Sequence, residues 1–253
     1  MAGAKSFVWC ELLTSDLQAA KAFYRQVLGW DIHDMAMPAG TYAVLNAAGA
    51  GIGGIMEMPK DVTGMGPFWA PYIDLDDVDA GGKQAHLLGA KILRAAQDIP
   101  EVGRFAVIAD PQGAIVNLFK PLRPGPVADP RAAGTVGWYE LHAKNWQDSF
   151  TFYSKMFGWT QGEGHDMGPM GIYQIFAIDA QPAGGMFSSP EAAKGSFWLP
   201  YFNVGDIDAA HQRLNEAGGK ALNGPMQVPG GGWIIRAKDG QGAMFALMGQ
   251  RAV

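Results

Sequence analysis

The sequence predicts an α+β protein made of four βαβββ modules, two in each of two tandem halves. Three observations predict it. The chain repeats itself at a fixed offset, strand-like and helix-like periodicities alternate in the same order in both halves, and glycine is unusually frequent. Of 253 residues 35 are Gly, about twice the average share of roughly 7%. That many glycines ask for turns and close backbone approaches rather than for a helical bundle.

The repeat is read first. Residues 7–30, FVWCELLTSDLQAAKAFYRQVLGW, return at 136–159 as VGWYELHAKNWQDSFTFYSKMFGW. An offset of 129 places Trp9 on Trp138, Glu11 on Glu140, Phe23-Tyr24 on Phe152-Tyr153 and Gly29-Trp30 on Gly158-Trp159. The same offset carries Phe68-Trp69 and Pro71-Tyr72 onto Phe197-Trp198 and Pro200-Tyr201. It also carries Asp110 and Gln112-Gly113-Ala114 onto Asp239 and Gln241-Gly242-Ala243. The two copies are the halves 1–121 and 136–253. The stretch 121–134, PLRPGPVADPRAAG, holds four prolines, so residues 122–135 read as an extended, semi-rigid linker.

Within the first half, residues 7–13 read as a strand and 16–28 as a helix with Leu17, Ala20, Phe23, Tyr24 and Val27 on one face. Asp16 suits its N-cap and Gly29 its end. Strand-like runs follow at 41–46 and 52–58, with Gly-rich turns between them. A strand at 70–76 then starts the pattern again. It leads to a helix at 77–88 ended by Gly89, and to strands near 91–94, 104–109 and 114–119.

Composition removes several functions. A net charge of −5 and a pI near 5.5 leave no basic stripe for nucleic-acid phosphates. One cysteine makes neither an internal disulfide nor a thiolate zinc site. The start, MAGAKSFVWC, lacks the apolar core of a signal peptide, and no run of 18 apolar residues occurs. The expectation is a cytoplasmic protein with no membrane and no nucleic-acid partner.

The phrases FYRQVLGW and FYSKMFGW after the first helix of each half, with DPQGAIVNLF and DGQGAMFALM closing each half, resemble the vicinal oxygen chelate superfamily. That superfamily contains glyoxalases, bleomycin-resistance proteins and extradiol dioxygenases. The chain looks closest to the tandem glyoxalase-like group related to the mycobacterial 27-kDa antigen. The resemblance implies two tandem glyoxalase-like domains with cupped mixed sheets, and it does not imply a substrate.

In metal-dependent members of the superfamily, ligands come from the first and last strands of a module. The first ligand sits seven residues before the helix-starting residue. Here those positions hold Trp9, Ala70, Trp138 and Leu199, and the closing-strand Glu position holds Asn117 in one half and Ala246 in the other. Indole and alkyl groups offer no lone pair to a divalent cation, and a carboxamide is a weak donor. Glu57 is the one ligand-type residue left, and its counterpart is about Ser188. No metal and no cofactor are therefore expected.

Alternate residues of a strand share a face. One cup is then expected to present Trp9, Glu11, Leu13, Tyr72, Asp74 and Asn117, with Glu57 at its end. The other is expected to present Trp138, Glu140, His142, Tyr201 and Asn203. Aromatic walls around a carboxylate are the usual lining of small-molecule pockets, and Glu11 or Glu140 could act as a general base. The tandem Trp-x-Glu could equally be a fold element, its carboxylate bonding loop N–H groups. His142 faces Leu13 across the repeat, so any chemistry it has is confined to the second cup. A lone strand histidine is more often a hydrogen-bonded wall residue than a catalyst.

Other signals are weaker. Gly49 to Gly54 spell GxGxxG but run into IMEMP, with no helix to receive a pyrophosphate, and read as a strand turn. Gly230-Gly231-Gly232 reads as a hairpin or loop. His33 and His165 read as loop residues, and His86 and His211 as helix residues, without metal-binding spacing. Cys10 has the opposite phase from Trp9 and reads as a packed apolar residue. No serine sits in a nucleophile elbow.

Two functions stay open. One is a binding module for a small aromatic or oxo molecule, in the manner of the bleomycin-resistance proteins. The other is a metal-independent glyoxalase-like lyase or isomerase acting on a small oxo compound of methylglyoxal type through a Glu base. The partner in both is a small molecule. The assembly is a monomer with pseudo-two-fold halves or a weak homodimer.

Overall fold

Four short polar side chains start the four α-helices found among the described residues. In a computed structural model that describes residues 5–37, 40–60, 62–123 and 125–251, each cap accepts an N–H of the first helical turn. Asp16 takes the N–H of Ala19, Asp77 that of Ala80, Asn145 that of Asp148, and Asp206 those of Asp208 and Ala209. Two of the helices end on a left-handed glycine, Gly29 at φ 70° and Gly158 at φ 75°, where a Cβ would be strained.

The first half contains β1 (Phe7–Thr14), α1 (Leu17–Leu28), β2 (Asp31–Met37), β3 (Gly40–Ala47) and β4 (Ala50–Glu57), then β5 (Phe68–Asp74), α2 (Val78–Leu87), β6 (Lys91–Ile99), β7 (Gly103–Ala109) and β8 (Ile115–Pro121). The second half repeats this as β9 (Val136–Ala143), α3 (Trp146–Phe157), β10 (Thr160–Asp166), β11 (Ile172–Ile178) and β12 (Gln181–Ser188). It closes with β13 (Phe197–Asp206), α4 (Ile207–Glu216), β14 (Lys220–Gln227), β15 (Trp233–Lys238) and β16 (Met244–Gln250). The expected order, strand, helix and three strands written four times, is what forms. The sixteen strands make two mixed sheets of eight. In every module the first and last strands pair in parallel, β1 with β4, β5 with β8, β9 with β12 and β13 with β16.

The compact units do not follow the sequence halves. Unit 1 comprises residues up to Val8, Ala70–Pro124 and Trp138–Leu199; unit 2 comprises Trp9–Trp69, Gly125–Gly137 and Pro200–Val253. Each therefore joins one module from either half. Unit 1 holds the strand orders β5-β8-β7-β6 and β10-β11-β12-β9, and unit 2 holds β2-β3-β4-β1 and β13-β16-β15-β14.

The repeated motifs explain how each unit closes. In unit 2 the Tyr24 hydroxyl accepts from Trp69 Nε1 at 3.1 Å and donates to Asp239 Oδ2 at 3.1 Å. Asp239 Oδ1 also receives the N–H groups of Gln241 and Ala243, at 2.9 Å each. The Gln241 carboxamide then reaches the start of α1, accepting from the Asp16 N–H and donating to the Asp16 carbonyl. Unit 1 repeats every bond: Trp198 to Tyr153, Tyr153 to Asp110, and Gln112 to the Asn145 backbone. The Phe-Tyr pair of one module thus meets the Asp-x-Gln-Gly-Ala loop of another, and every buried polar atom in the chain of bonds is paired.

Aromatic pairs also pack within single modules. Tyr24 stacks on Trp30 at 5.3 Å in unit 2, and Trp159 stacks on Phe176 at 4.5 Å in unit 1. Phe176 is fully buried; a side chain of this kind stabilises by roughly 1.5–3 kcal/mol.

Two expectations need correction. His33 and His165 lie on strands β2 and β10, not in loops. These outermost strands are exposed along most of their length, so neither carries the apolar alternation that marks a strand. The described helices include none long and apolar enough to cross a membrane.

Candidate functional site

Glycines make room for a buried Trp–Tyr–Glu cluster in each unit. In β4, Gly53 stands opposite Cys10 and Gly54 opposite Glu11. A Cβ on Gly53 would sit 2.3 Å from the Cys10 carbonyl oxygen, and one on Gly54 would sit 2.0 Å from the Tyr42 hydroxyl oxygen. Glycine at 54 lets the Tyr42 ring, anchored on β3, lie across β4 and reach a side chain on β1. The Tyr42 hydroxyl donates to Glu11 Oε1 at 2.9 Å and accepts from Trp9 Nε1 at 2.9 Å.

Unit 1 builds the same cluster. Gly184 and Gly185 oppose Tyr139 and Glu140, and a Cβ on Gly185 would meet the Tyr173 ring at 2.3 Å. Trp138 Nε1 donates to the Tyr173 hydroxyl at 2.8 Å, and that hydroxyl is hydrogen-bonded to Glu140. The apparent dinucleotide motif is therefore a steric device: it opens a path for a tyrosine.

Both carboxylates are buried, each residue 7% exposed. A buried carboxylate is costly unless donors answer it, and the tyrosine is one such donor in each unit. Burial, reinforced by the adjoining carboxylate, pushes the Tyr42 and Tyr173 hydroxyls well above their ordinary value near 10.

The clusters differ at one further position. His142, fully buried on β9, places Nε2 2.8 Å from Glu140 Oε1 and Nδ1 3.0 Å from Ser189 Oγ. Its ring stacks on Phe197 at 4.5 Å with 14° between planes, and Phe187 meets it edge-on at 4.8 Å. Leu13 occupies the matching position on β1.

The expected cups do not form as grouped: Trp9, Glu11 and Leu13 fall in unit 2 with Tyr201 and Asn203, whereas Tyr72, Asp74 and Asn117 fall in unit 1 with Trp138, Glu140 and His142, because each unit joins one module from either half. On β5 and β8 of unit 1, Tyr72 pairs with Asn117 and Asp74 with Phe119. The Asn117 carboxamide donates to the Pro71 carbonyl at 3.4 Å. Asp74 Oδ1 is buried without a hydrogen-bond partner among the described residues. On β13 of unit 2, Tyr201 is buried opposite Ala246. The Asn203 carboxamide donates to the Pro130 carbonyl at 2.7 Å and to Thr135 Oγ1 at 3.0 Å, so it fastens the linker. Glu57 is exposed at the end of β4. Among the described residues no three His, Cys, Asp or Glu side chains stand close enough to hold a metal ion.

Sequence reasoning located Trp9, Glu11, Trp138, Glu140 and His142 but missed Tyr42, Tyr173 and Ser189. A fixed offset of 129 places Tyr42 on Gly171, whereas the tyrosines are 131 apart. The signal that finds them is Gly-x-Tyr, present as Gly40-Thr41-Tyr42 and as Gly171-Ile172-Tyr173, with Gly53-Gly54 and Gly184-Gly185 following at the same shifted offset.

The family model described as Glyoxalase/Bleomycin resistance protein/Dioxygenase superfamily matches residues 6–118 and 135–247. Over 243 residues the chain is 32% identical to the Mycobacterium tuberculosis protein described as "Putative glyoxylase CFP32", covering 95% of this chain and 93% of that one. It is 28% identical to the anthracycline biosynthesis protein DauV of Streptomyces sp. (strain C5), covering 88% and 86%. Among solved structures, the Mn(II)-bound glyoxalase from Novosphingobium aromaticivorans is similar with a TM-score of 0.68 at 16% identity, over 100% of this chain and 84% of that one. An extradiol ring-cleaving dioxygenase from B. fuscum is similar with a TM-score of 0.68 at 12% identity, over 100% and 74%. Likeness at those identities is a likeness of fold.

Proposed function

Since this chain belongs to the Glyoxalase/Bleomycin resistance protein/Dioxygenase superfamily, we propose that it binds a small planar aromatic or oxo-bearing molecule at a Trp–Tyr–Glu cluster, without a divalent cation. The observation that carries this reading is the cluster itself, built twice with the same bonds. Each indole and phenol supplies a flat surface for stacking, and each buried carboxylate supplies a fixed acceptor for a hydroxyl or a cation on the ligand. The relatives named for anthracycline biosynthesis support a flat, multi-ring ligand of this kind.

The metal-free part of the reading rests on donor chemistry. Trp9 and Trp138 stand where a first-strand ligand would, and their only side-chain nitrogens are N–H donors already given to tyrosines. Ala70, Leu199 and Ala246 offer no side-chain donor atom. These residues do not fit a divalent-cation centre, although a glyoxalase of the same fold binds Mn(II).

The test is titration of the purified chain with proflavine, a planar aromatic cation, and with 1,4-naphthoquinone, a planar oxo compound, read by tryptophan fluorescence and calorimetry. Saturable binding that survives EDTA is expected. Absence of binding by both, or binding restored only by an added divalent metal, overturns the proposal.

One observation favours a second reading, a lyase or isomerase with Glu140 as general base. His142 and Tyr173 both bond its carboxylate, which fixes its direction as a proton acceptor requires. Chelator-insensitive isomerisation of the methylglyoxal–glutathione hemithioacetal, lost in Glu140→Gln, would select it.

A further inference from the structure

The two clusters are the same device except at one pair of positions. Met58 and Ser189 correspond, because each donates its backbone N–H to the residue that ends the first strand: Met58 to the Thr14 carbonyl and Ser189 to the Ala143 carbonyl, both at 2.8 Å. Unit 2 thus carries Leu13 and Met58 where unit 1 carries His142 and Ser189. Module geometry survives with the apolar pair, so the polar pair is not what holds the module together.

The polar pair has a defined sense. The Glu140 carboxylate only accepts, so His142 Nε2, 2.8 Å away, is the donor of that bond; Ser189 Oγ accepts the Glu191 N–H at 3.2 Å and has its own hydrogen to give to His142 Nδ1 at 3.0 Å. A nitrogen that accepts there puts the imidazole proton on Nε2, facing Glu140. Phe197 and Phe187 fix the ring plane. An imidazole that is fully buried loses its hydration, and a leucine would fill the place without that loss. What the histidine adds is a second, rigid donor on a carboxylate that Tyr173 already holds.

We propose that His142 is a positioning residue, held as its Nε2–H tautomer by Ser189, and that it makes the unit 1 cluster the single working ligand site of the chain. This rests on the binding reading above. Glu140 is then presented to the ligand in one orientation, whereas Glu11 stands beside a leucine. Loss of one donor to a charged group at a recognition site costs about tenfold or more in affinity.

Two measurements test it. Nitrogen-15 NMR of the intact chain should show His142 with the proton on Nε2; a proton on Nδ1 overturns the proposal without touching the binding reading. Calorimetry with proflavine should give one site per chain. The double variant His142→Leu with Ser189→Met, which installs the pair found in unit 2, should keep the wild-type circular dichroism and a cooperative melt above the assay temperature yet lose at least about tenfold in affinity. His142→Gln, whose amide restores a donor at the same reach, should recover most of that loss. Two equal sites, or a double variant that binds like the wild type, overturn the assignment. Failure of the wild type to bind either probe used above overturns the binding reading and this inference together.

Discussion

The Trp9 indole N–H meets the Tyr42 hydroxyl at 2.9 Å, and Trp138 meets Tyr173 at 2.8 Å. In each pair the phenol accepts from the indole and donates its own hydrogen bond to a buried carboxylate. Tyr42→Phe or Tyr173→Phe therefore leaves an indole donor and a carboxylate acceptor without that partner in one step. Each is expected to cost about 1–3 kcal/mol, read as a lower urea midpoint with an unchanged denaturant slope. A loss below about 0.5 kcal/mol in both would show that water replaces the hydroxyl and that the cluster is not a preformed unit.

Glycine substitutions separate space from backbone freedom. Gly54→Ala and Gly185→Ala place a methyl group against a tyrosine ring, at 2.0 Å and 2.3 Å, and should destabilise by about 3 kcal/mol while displacing the ring. Gly82→Ala lies in α2 with nothing within 4 Å of the added carbon. It should stabilise by about 0.5–1 kcal/mol through helix propensity. Thermal melts of the three variants check the contrast, and a Gly54→Ala variant as stable as Gly82→Ala would refute the steric account.

How much of this was legible in the sequence depended on burial. Helix α1 shows the expected face, with Leu17, Ala20, Phe23, Tyr24 and Val27 all buried, because one side of it packs and the other is wet. Strands β2 and β10 were illegible as strands because most of their side chains meet solvent. Trp9, Glu11, Trp138 and Glu140 were found by phase along the first strand of their modules. Tyr42 and Tyr173 were not, because their role depends on the glycine of the strand between being small. That is a relation between strands, which a one-dimensional repeat at a fixed offset does not carry.

Alkaline titration should report the buried phenols. Burial raises the hydroxyls of Tyr24, Tyr42, Tyr153 and Tyr173 well above 10, and a neighbouring carboxylate adds to it in each case. A group whose folded value lies above its unfolded one contributes stability that is present below the unfolded value, near pH 10, and is lost as pH rises further. Absorbance at the tyrosinate band should therefore show at most three of the seven tyrosines ionising reversibly, with the other four appearing together at alkaline unfolding. Smooth ionisation of all seven in a folded chain would contradict the bonding described for them.

The bond between Tyr24 and Asp239 joins residues 215 positions apart and has a consequence for folding. Tyr24 belongs to the first module and Asp239 to the last, yet both lie in unit 2; Tyr153 and Asp110 repeat the exchange in unit 1. The helix starts depend on it as well, since Gln241 and Gln112 hold the backbone at Asp16 and Asn145. A fragment of residues 1–121 keeps the Tyr24 side chain and loses the carboxylate, the loop and the aromatic partner Phe245 that bury it. An exposed apolar helix face is not tolerated by a small soluble domain. The fragment is therefore expected either to unfold or to pair with a second copy, and never to persist as a folded monomer. Mixing it with a fragment of residues 122–253 should restore the circular dichroism of the intact chain. Size exclusion and thermal melting decide the matter, and a fragment that runs as a monomer with a cooperative melt would show that each half closes its own core.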